Sequence, residues 1–296
     1  MIAYVLPGGG LFGGVKKGFG CADLLTAAGH PCVVATPDGE RPRWFDSRCD
    51  LITHAELAAR VGPDDLVLFS CPADAPFVDT LRARRKIVHM QGASTLEDRA
   101  LFHWSRGYEF ISHGLHMTYE LQRAGRVAPY VPMGIPDLFR WKGEPRTPLR
   151  IVAMPRKGAE VLHFVERSLP EESTLVTLDH APEHVVADAL KHADIFLAVS
   201  TAEAFGLPPL EAMCAGCCVV GFPGIGGFEF MRHMDTAHVV PNGDVPGLLD
   251  ALRHVCARPA YRDALRTRAM DLSAAYTVGR EQEALLRALG LERRTR

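Results

Sequence analysis

Short apolar segments alternate with helical patterns along the whole chain, and this alternation constrains the fold more than any other feature. Strands are predicted at residues 2–6, 32–36, 66–69, 87–90 and 110–112, and again at 150–154, 174–178, 195–199, 217–222 and 238–240. Helical segments lie between them. Strands that alternate with helices form parallel, doubly wound sheets. The sequence therefore predicts an α/β fold.

The composition is that of an ordinary globular protein. The 296 residues suit one large domain or two ordinary ones, and 47% are hydrophobic and 23% charged. A net charge of -2 gives no general attraction to nucleic acid. The apolar runs fall short of the ~20 residues that span a bilayer. The N-terminus breaks into glycines after one strand, unlike a signal peptide.

The eight cysteines lie scattered, several of them in apolar segments, as buried thiols do. Reduced thiols fit a cytoplasmic location, which we expect here. Cys214 and Cys217 have the C-x-x-C spacing, but no second pair of ligands accompanies them. We therefore expect no metal or redox chemistry at this pair.

Two carboxylates stand eight positions apart after one predicted strand. Between Glu203 and Glu211 lie Phe205, Gly206 and Leu207, followed by two prolines. Prolines favour a helix start, predicted here at about residue 209, which places Glu211 in the first turn, where the macrodipole favours negative charge. Open α/β sheets bind ligands at such strand-to-helix crevices. A capping acid beside a solvent-exposed acid is the alternative interpretation.

The same stretch resembles a family signature. Residues 203–213, EAFGLPPLEAM, are similar to the E-G-F-G-L-P-x-L-E-A-M form of the E-x7-E motif of retaining glycosyltransferases of the family 4 type, with Ala204 in place of glycine. The resemblance implies the GT-B fold, in which two Rossmann-like domains face a cleft and the C-terminal one holds most of a sugar nucleotide. It implies that Glu203 contacts the sugar or orients the catalytic site. It also implies a donor-binding set of Glu211, Phe205, Gly206 and Leu207.

The resemblance extends to the domain boundary. Residues 131–139, VPMGIPDLF, are similar to the P-N-G-I-D-x-x-F segment that ends the N-terminal domain, with Met133 in place of asparagine. The charged stretch 140–148 is then expected to be the linker. We predict an acceptor-side domain at residues 1–142 and a nucleotide-sugar-binding domain at 143–296. In similar proteins the last helix, here about 279–290, crosses back onto the N-terminal domain.

Arg156 and Lys157 follow the first strand of the second half, just before Gly158. Two cations at a strand end beside a helix start suit a diphosphate, because Arg binds it bidentately, Lys acts as a point charge and the helix adds amides. We predict both as catalytic residues that stabilise the leaving diphosphate without a metal. A solvent-exposed charge pair is the alternative. The family usually has G-R-x-x-x-K-G here, whereas this chain has the tighter Pro-Arg-Lys-Gly.

A glycine-rich loop, GGGLFGG at residues 8–14, follows the first strand and opens a helix. It contains G-x-G-x-x-G, and Asp38 ends the second strand, which is the layout of a dinucleotide fingerprint. The resemblance favours instead a loop near the donor phosphates, with Gly13 and Gly14 as donor-binding residues. We assign no chemistry to Asp38.

Three polar residues end neighbouring strands of the first half. His89 and Gln91 lie at the end of the strand at 87–90, and His113 follows the strand at 110–112. Related enzymes often carry a histidine at such a strand end, directed at the sugar. We therefore predict His89 as a catalytic residue and Gln91 and His113 as further sugar contacts. A core histidine is the alternative for His89.

Two further segments each have two interpretations. The glycine-rich segment 222–229 either lies against the donor or forms a plain turn. The basic residues of the first half either form a solvent-exposed helix end or make a weak peripheral contact with an acidic membrane. These residues are Arg82, Arg84, Arg85 and Lys86.

Together these features predict a cytoplasmic, retaining, metal-independent glycosyltransferase of the hexosyltransferase type. It would move a sugar from a UDP- or GDP-sugar to an unidentified acceptor, with the nucleotide sugar as co-substrate and no other cofactor. Two other classes stay open. One is a nicotinamide-dependent oxidoreductase that uses the loop at 8–13, and the other is a non-catalytic nucleotide-sugar-binding partner subunit. The oligomeric state also stays open.

Overall fold

The computed structural model describes residues 1–92 and 107–293, and the chain divides into two compact units. Unit 1 consists of Met1–Pro132 together with Gly279–Arg296, and unit 2 consists of Met133–Val278. In the part of the chain that is described, each unit contains one parallel sheet with a hydrophobic cluster on either face. The predicted α/β fold with parallel sheets is confirmed.

The unit 1 sheet has the order β3-β2-β1-β4-β5-β6, and all its pairings are parallel. Its strands are β1 (Ile2–Val5), β2 (Cys32–Thr36), β3 (Asp50–Thr53), β4 (Leu66–Phe69), β5 (Arg85–Met90) and β6 (Glu109–Ser112). Its helices include α1 (Gly13–Ala27), α2 (His54–Arg60), α3 (Ala75–Thr80) and α4 (Leu115–Arg123).

Alternation along β1 shows how this sheet is buried on both faces. Ala3 and Val5 pack into one hydrophobic cluster, and Tyr4 and Leu6 pack into the cluster on the opposite face. Side chains of a strand alternate between the two faces of its sheet. The strand order reverses between β1 and β4, and ligands of open α/β sheets bind at the carboxyl ends of the strands at such a point.

The chain returns to unit 1 with its last helix, α10 (Val278–Leu289). Three of its leucines are buried in a unit 1 cluster: Leu285, Leu286 and Leu289. Glu281 forms a buried ion pair with Lys17 of α1, with 2.6 and 2.7 Å from Nζ to the two carboxylate oxygens. Both apolar packing and this ion pair therefore hold α10 in unit 1.

The unit 2 sheet has the order β11-β10-β9-β7-β8 and is also parallel. Its strands are β7 (Arg150–Ala153), β8 (Thr174–Thr177), β9 (Ile195–Ala198), β10 (Cys218–Gly221) and β11 (Ala237–Val239). The helices are α5 (Ala159–Glu166), α6 (Glu183–Lys191), α7 (Leu207–Cys214), α8 (Val245–Cys256) and α9 (Pro259–Ser273). None of the helices in the described residues is long and apolar enough to cross a membrane.

The segment predicted as a linker packs within unit 2. Arg140 donates to the carbonyl oxygens of Ser273 and Tyr276 at 2.9 and 2.8 Å, and the Arg146 guanidinium lies 3.9 Å from the ring centre of Trp141. The division of the chain falls at 132/133, before the predicted 142/143. The reason is that the side chains from Met133 onward enter the unit 2 core.

Candidate active site

The carboxyl ends of β7 and β9 meet at the centre of the unit 2 sheet. The two strands are neighbours, with Ala153 paired to Leu197. The chain leaves β7 toward β8 on one side and comes back to β9 on the other. This is the crevice in which open α/β sheets bind ligands. A pocket lies here, lined by Met154, Phe196, Leu197, Ala198, Val199, Ser200, Glu203, Pro208, Pro209, Phe222 and Pro223.

The two predicted cations stand at the end of β7, in a short 3-10 turn over Pro155–Lys157. Arg156 and Lys157 are both exposed there. Gly158 follows and comes so close to β9 that a Cβ atom would lie 2.5 Å from the Val199 carbonyl oxygen. Only glycine lets the turn approach β9 this closely. Because residue 158 has no side chain, the turn that carries both cations can lie close to the end of β9, at the crevice.

Glu203 follows β9 and lies opposite Lys157. The Lys157 Nζ atom is 3.5 Å from both carboxylate oxygens of Glu203. The side chains are 38% and 21% exposed, respectively. The distance is longer than a strong charge-assisted hydrogen bond. The two predicted catalytic residues, 46 positions apart in the chain, therefore form an open pair of opposite charges.

The glycine-rich segment 222–229 packs against the Glu203 loop. Its amides at Ile225 and Gly226 donate to the Glu203 carbonyl oxygen at 2.8 and 3.3 Å. A Cβ atom on Gly224 would lie 2.9 Å from that same oxygen, and one on Gly226 would lie 2.2 Å from the Ala204 oxygen. The glycines thus permit a close approach to the protein's own backbone, and the segment positions Glu203.

Asn242 forms hydrogen bonds with this glycine segment. The sequence did not predict this residue. Its side-chain oxygen accepts from the Gly224 amide at 3.1 Å, and its side-chain nitrogen donates to the Gly224 carbonyl at 2.8 Å. The only sequence signal is a Pro-Asn-Gly-Asp run, which indicates a turn.

Helix α7 begins at Leu207, two residues before the predicted start. Gly206 caps it in the left-handed conformation, with φ 96° and ψ 55°, so that both prolines fall within the first turn. Glu211 therefore lies in the second turn, not in the first as predicted. It is buried, with 6% of its surface exposed.

Two of the predicted donor-binding side chains belong to the hydrophobic core. Phe205 is 4% exposed, and its ring centre lies 5.5 Å from that of Phe230. Leu207 packs against the same cluster.

In unit 1, Gly13 and Gly14 open α1, as the loop pattern indicated. The cap residue of this helix, Phe12, makes no side-chain hydrogen bond, and the first turn carries no acid. Gln91 lies against the loop, and its side-chain nitrogen donates to the Gly14 carbonyl oxygen at 3.3 Å and to the Tyr4 hydroxyl at 3.0 Å. Gln91 is half-buried and adjoins this helix start.

Both histidines predicted for this unit, His89 as a catalytic residue and His113 as a sugar contact, are buried in the structure. His89 and His113 are each 1% exposed. His89 Nδ1 is hydrogen-bonded to the Tyr4 hydroxyl at 2.7 Å, and the His113 ring lies 4.4 Å from the His89 ring. Burial holds the pKa of His89 well below its ordinary value and lowers the pKa of His113 to about 3. Both imidazoles are therefore neutral at ordinary pH.

Other polar residues of the prediction have structural partners. Asp38 accepts from the Thr36 hydroxyl and the Glu40 amide, both at 3.0 Å, so it closes its own turn. In the basic cluster, Arg85 binds both carboxylate oxygens of Glu109 and Lys86 donates to the Asp79 carbonyl. Arg82 and Arg84 are exposed.

The cysteine pair is structural as well. Cys214 and Cys217 are buried free thiols, and Cys217 donates to the Leu190 carbonyl at 3.1 Å. Within residues 1–92 and 107–293, no group of three or more His, Cys, Asp or Glu side chains is arranged to hold a metal ion.

Residues 144–258 match the family model described as "Glycosyl transferases group 1". The matched segment, which is less than half of the chain, is similar to a glycosyltransferase group 1 domain. It lies entirely within unit 2 and contains Arg156, Lys157, Glu203 and Glu211.

A curated relative is similar to part of the chain. An alpha-1,6-glucosyltransferase of Actinobacillus pleuropneumoniae serotype 7 (strain AP76) is 31% identical over 117 residues, which are 37% of this chain and 36% of that protein. The chain thus matches about a third of the length of this relative.

Solved structures extend the likeness to the whole chain. Anabaena HepE, in a complex with UDP and glucose, is 12% identical with a TM-score of 0.75, covering 98% of this chain and 99% of that one. Sucrose-phosphate synthase from Thermosynechococcus elongatus is 15% identical with a TM-score of 0.73, covering 98% and 97%. These neighbours show that the fold is of the predicted GT-B type.

Proposed function

We propose that the protein is a retaining glycosyltransferase of the E-x7-E, family 4 type, which takes a sugar from a nucleotide diphosphate donor. The observation that carries this proposal is the open pair of Lys157 and Glu203 at the switch point of the unit 2 sheet. A cation from the end of β7 and an acid from the end of β9 stand side by side where a ligand of this fold binds. The similarity to a glycosyltransferase group 1 domain supports the assignment.

The pair suits the charges that develop during glycosyl transfer. The anomeric carbon becomes positively charged in an oxocarbenium-like transition state, and the leaving diphosphate becomes more negative. Lys157 and Arg156 would stabilise the diphosphate, and the Glu203 carboxylate would lie on the side of the sugar. Because Lys157 is 3.5 Å from Glu203 and exposed, its ammonium can turn to a diphosphate without leaving a buried carboxylate unpaired.

In this proposal the diphosphate leaves from, and the acceptor attacks on, the same face of the sugar, so the anomeric configuration is retained. Glu211 would hold the ribose hydroxyls from the second turn of α7, where it is buried. Arg156 and Lys157, rather than a metal ion, would stabilise the negative charge of the leaving diphosphate. The proposed first donor is UDP-glucose, because HepE has been solved with UDP-glucose and the curated relative is a glucosyltransferase.

The test is steady-state kinetics of UDP-glucose hydrolysis and UDP titration by calorimetry. Lys157→Ala should lower kcat by about 10²–10³-fold and change KM much less, because the cation acts most strongly when the diphosphate gains charge. Lys142→Ala removes another exposed lysine of unit 2 and should leave both constants unchanged. Chelator should leave the wild-type rate nearly intact.

Other results of these measurements would refute the proposal or support one of the two alternative functions. Wild-type kinetics in Lys157→Ala would refute the diphosphate role, and loss of activity with EDTA that magnesium restores would refute metal independence. UDP binding without any turnover would support a non-catalytic partner subunit. A nicotinamide cofactor that binds to the protein while UDP does not would support an oxidoreductase.

A further inference from the structure

Asp74 of unit 1 is a buried carboxyl group, one oxygen of which has no hydrogen-bond partner among the described residues. It is 5% exposed, and that oxygen is Oδ2. Asp74 occupies the cap position of α3 but makes no side-chain cap hydrogen bond. Burial alone raises the pKa of Asp74 to about 7. A buried polar group without a partner is unfavourable, and such groups are found where a ligand completes the hydrogen bonding.

The position of Asp74 places it at the switch point of the unit 1 sheet. β4 and β1 are neighbours in parallel register, with Phe69 paired to Val5, so their carboxyl ends lie at the same level. Asp74 follows β4 in the short 3-10 turn Pro72–Asp74, and the glycine-rich loop 8–14 follows β1. This is the place in a doubly wound sheet where ligands bind.

A stacked pair of rings joins the start of α3 to the end of β1. The His54 Nε2 atom lies 3.2 Å from the Leu6 carbonyl oxygen. The His54 ring stacks on Phe77 of α3 with 4.2 Å between centres and 8° between planes. Phe77 is three residues beyond Asp74, so this contact holds the start of α3 against the end of β1.

The surroundings favour a neutral ligand with hydroxyl groups. α1 begins at Gly13 with no acid in its first turn, and Lys16 follows. The positive end of a helix disfavours a cationic ligand, and a carboxyl group disfavours an anionic one. A hydroxyl group can donate to the carboxyl oxygen and also accept a hydrogen bond.

We propose that Asp74 is an acceptor-binding residue that hydrogen-bonds a hydroxyl group of a sugar beside the loop 8–14. The acceptor role rests on the proposed function. The binding of a sugar by this carboxyl group can be measured without the donor. Asp74 determines specificity here because a polar site of this kind rejects analogues that lack the hydroxyl group.

The experiment uses the full chain and saturation-transfer NMR with glucose, galactose and N-acetylglucosamine as probes. The variants are Asp74→Asn, which keeps the shape but not the carboxyl group, and Asp64→Asn, which removes an exposed carboxylate of the same unit. At least one sugar should bind to the wild type, with affinity reduced about tenfold or more in Asp74→Asn and unchanged in Asp64→Asn. Circular dichroism confirms that each variant is folded, and Asp74→Glu provides a second variant that keeps the carboxyl group.

Transfer from UDP-glucose to the same sugars gives the second readout. In Asp74→Asn the KM for the sugar should rise about tenfold or more, while UDP affinity and hydrolysis of UDP-glucose remain within twofold of wild type. Equal sugar binding in wild type and Asp74→Asn, or no binding of any probe by the wild type, would overturn the proposal. Failure of the wild type to bind UDP would count against the proposed function, whereas the NMR titration decides the role of Asp74 independently.

Discussion

The buried ion pair between Lys17 and Glu281 makes a sharp prediction about stability. The pair joins α1 to α10, and its side chains are 9% and 4% exposed. Lys17→Met removes one charge and leaves a carboxylate buried without its cation. Glu281→Met leaves the buried ammonium in the same way. Each single substitution should destabilise unit 1 by about 3–5 kcal/mol, the usual range for breaking a buried pair.

The double variant should be more stable than either single one. Replacing a buried ion pair by apolar side chains of similar length is often close to neutral, because both desolvation penalties are removed together. The interaction energy of the double-mutant cycle should therefore be several kcal/mol. Arg85 and Glu109 provide the matched control, because their side chains are 44% and 48% exposed. Glu109→Gln should reduce stability by less than about 1 kcal/mol.

The assay is urea unfolding followed by circular dichroism, with hydrogen exchange to assign the transition to peptides from α1 and α10. The free energies of unfolding of the wild type, both single variants and the double variant complete the cycle. If each single substitution lowers the free energy by less than about 1 kcal/mol, the pair behaves like an exposed one and the reasoning is refuted. Additive effects of the two substitutions would refute it as well.

Two further predictions concern stability. Because the pKa of Asp74 is raised in the folded protein, native stability should fall as the pH rises from 5 to 8, by at most about 3 kcal/mol at 1.36 kcal/mol per pH unit. Urea unfolding at several pH values should show that this dependence of stability on pH is weaker in Asp74→Asn but unchanged in Asp64→Asn. The same dependence in all three proteins would contradict the prediction. Gly158→Ala should destabilise the protein by about 1–3 kcal/mol, because its Cβ atom would lie 2.5 Å from the Val199 carbonyl oxygen. Gly20→Ala is its control: nothing lies within 4 Å of that Cβ position inside α1, so thermal unfolding should show a gain of about 0.5–1 kcal/mol, and a Gly158→Ala variant as stable as wild type would contradict the packing argument.

Much of the fold could be predicted because strands of parallel sheets are continuous apolar runs. β2 and β4 agree with the sequence prediction at both ends, and the other predicted strands differ by a few residues at most. β3 was missed, since Asp50–Thr53 is a short edge strand with polar residues at both ends. Apolar runs identify central strands well and edge strands poorly.

The position of the candidate site could be predicted where it depends on which residues follow the strands. Arg156, Lys157 and Glu203 follow strands, and the sheet topology brings their strand ends together. The burial of His89 could not be read from the sequence, because a histidine at a strand end looks the same whether it faces a ligand or the core. Its partner, Tyr4, is 85 positions away. No sequence pattern marks Asp74, because its lack of a hydrogen-bond partner depends on which distant residues pack around it in the fold.

The return of the chain to unit 1 has a consequence for how the protein is made. Residues 133–278 of unit 2 are continuous, so this unit can fold as soon as they leave the ribosome. Unit 1 is discontinuous: Lys17 is synthesised early, and Glu281 emerges 264 residues later. Until then the surface that α10 covers is exposed on the nascent chain, and a stop codon just after residue 278 would release a chain in which unit 2 is complete and unit 1 is not.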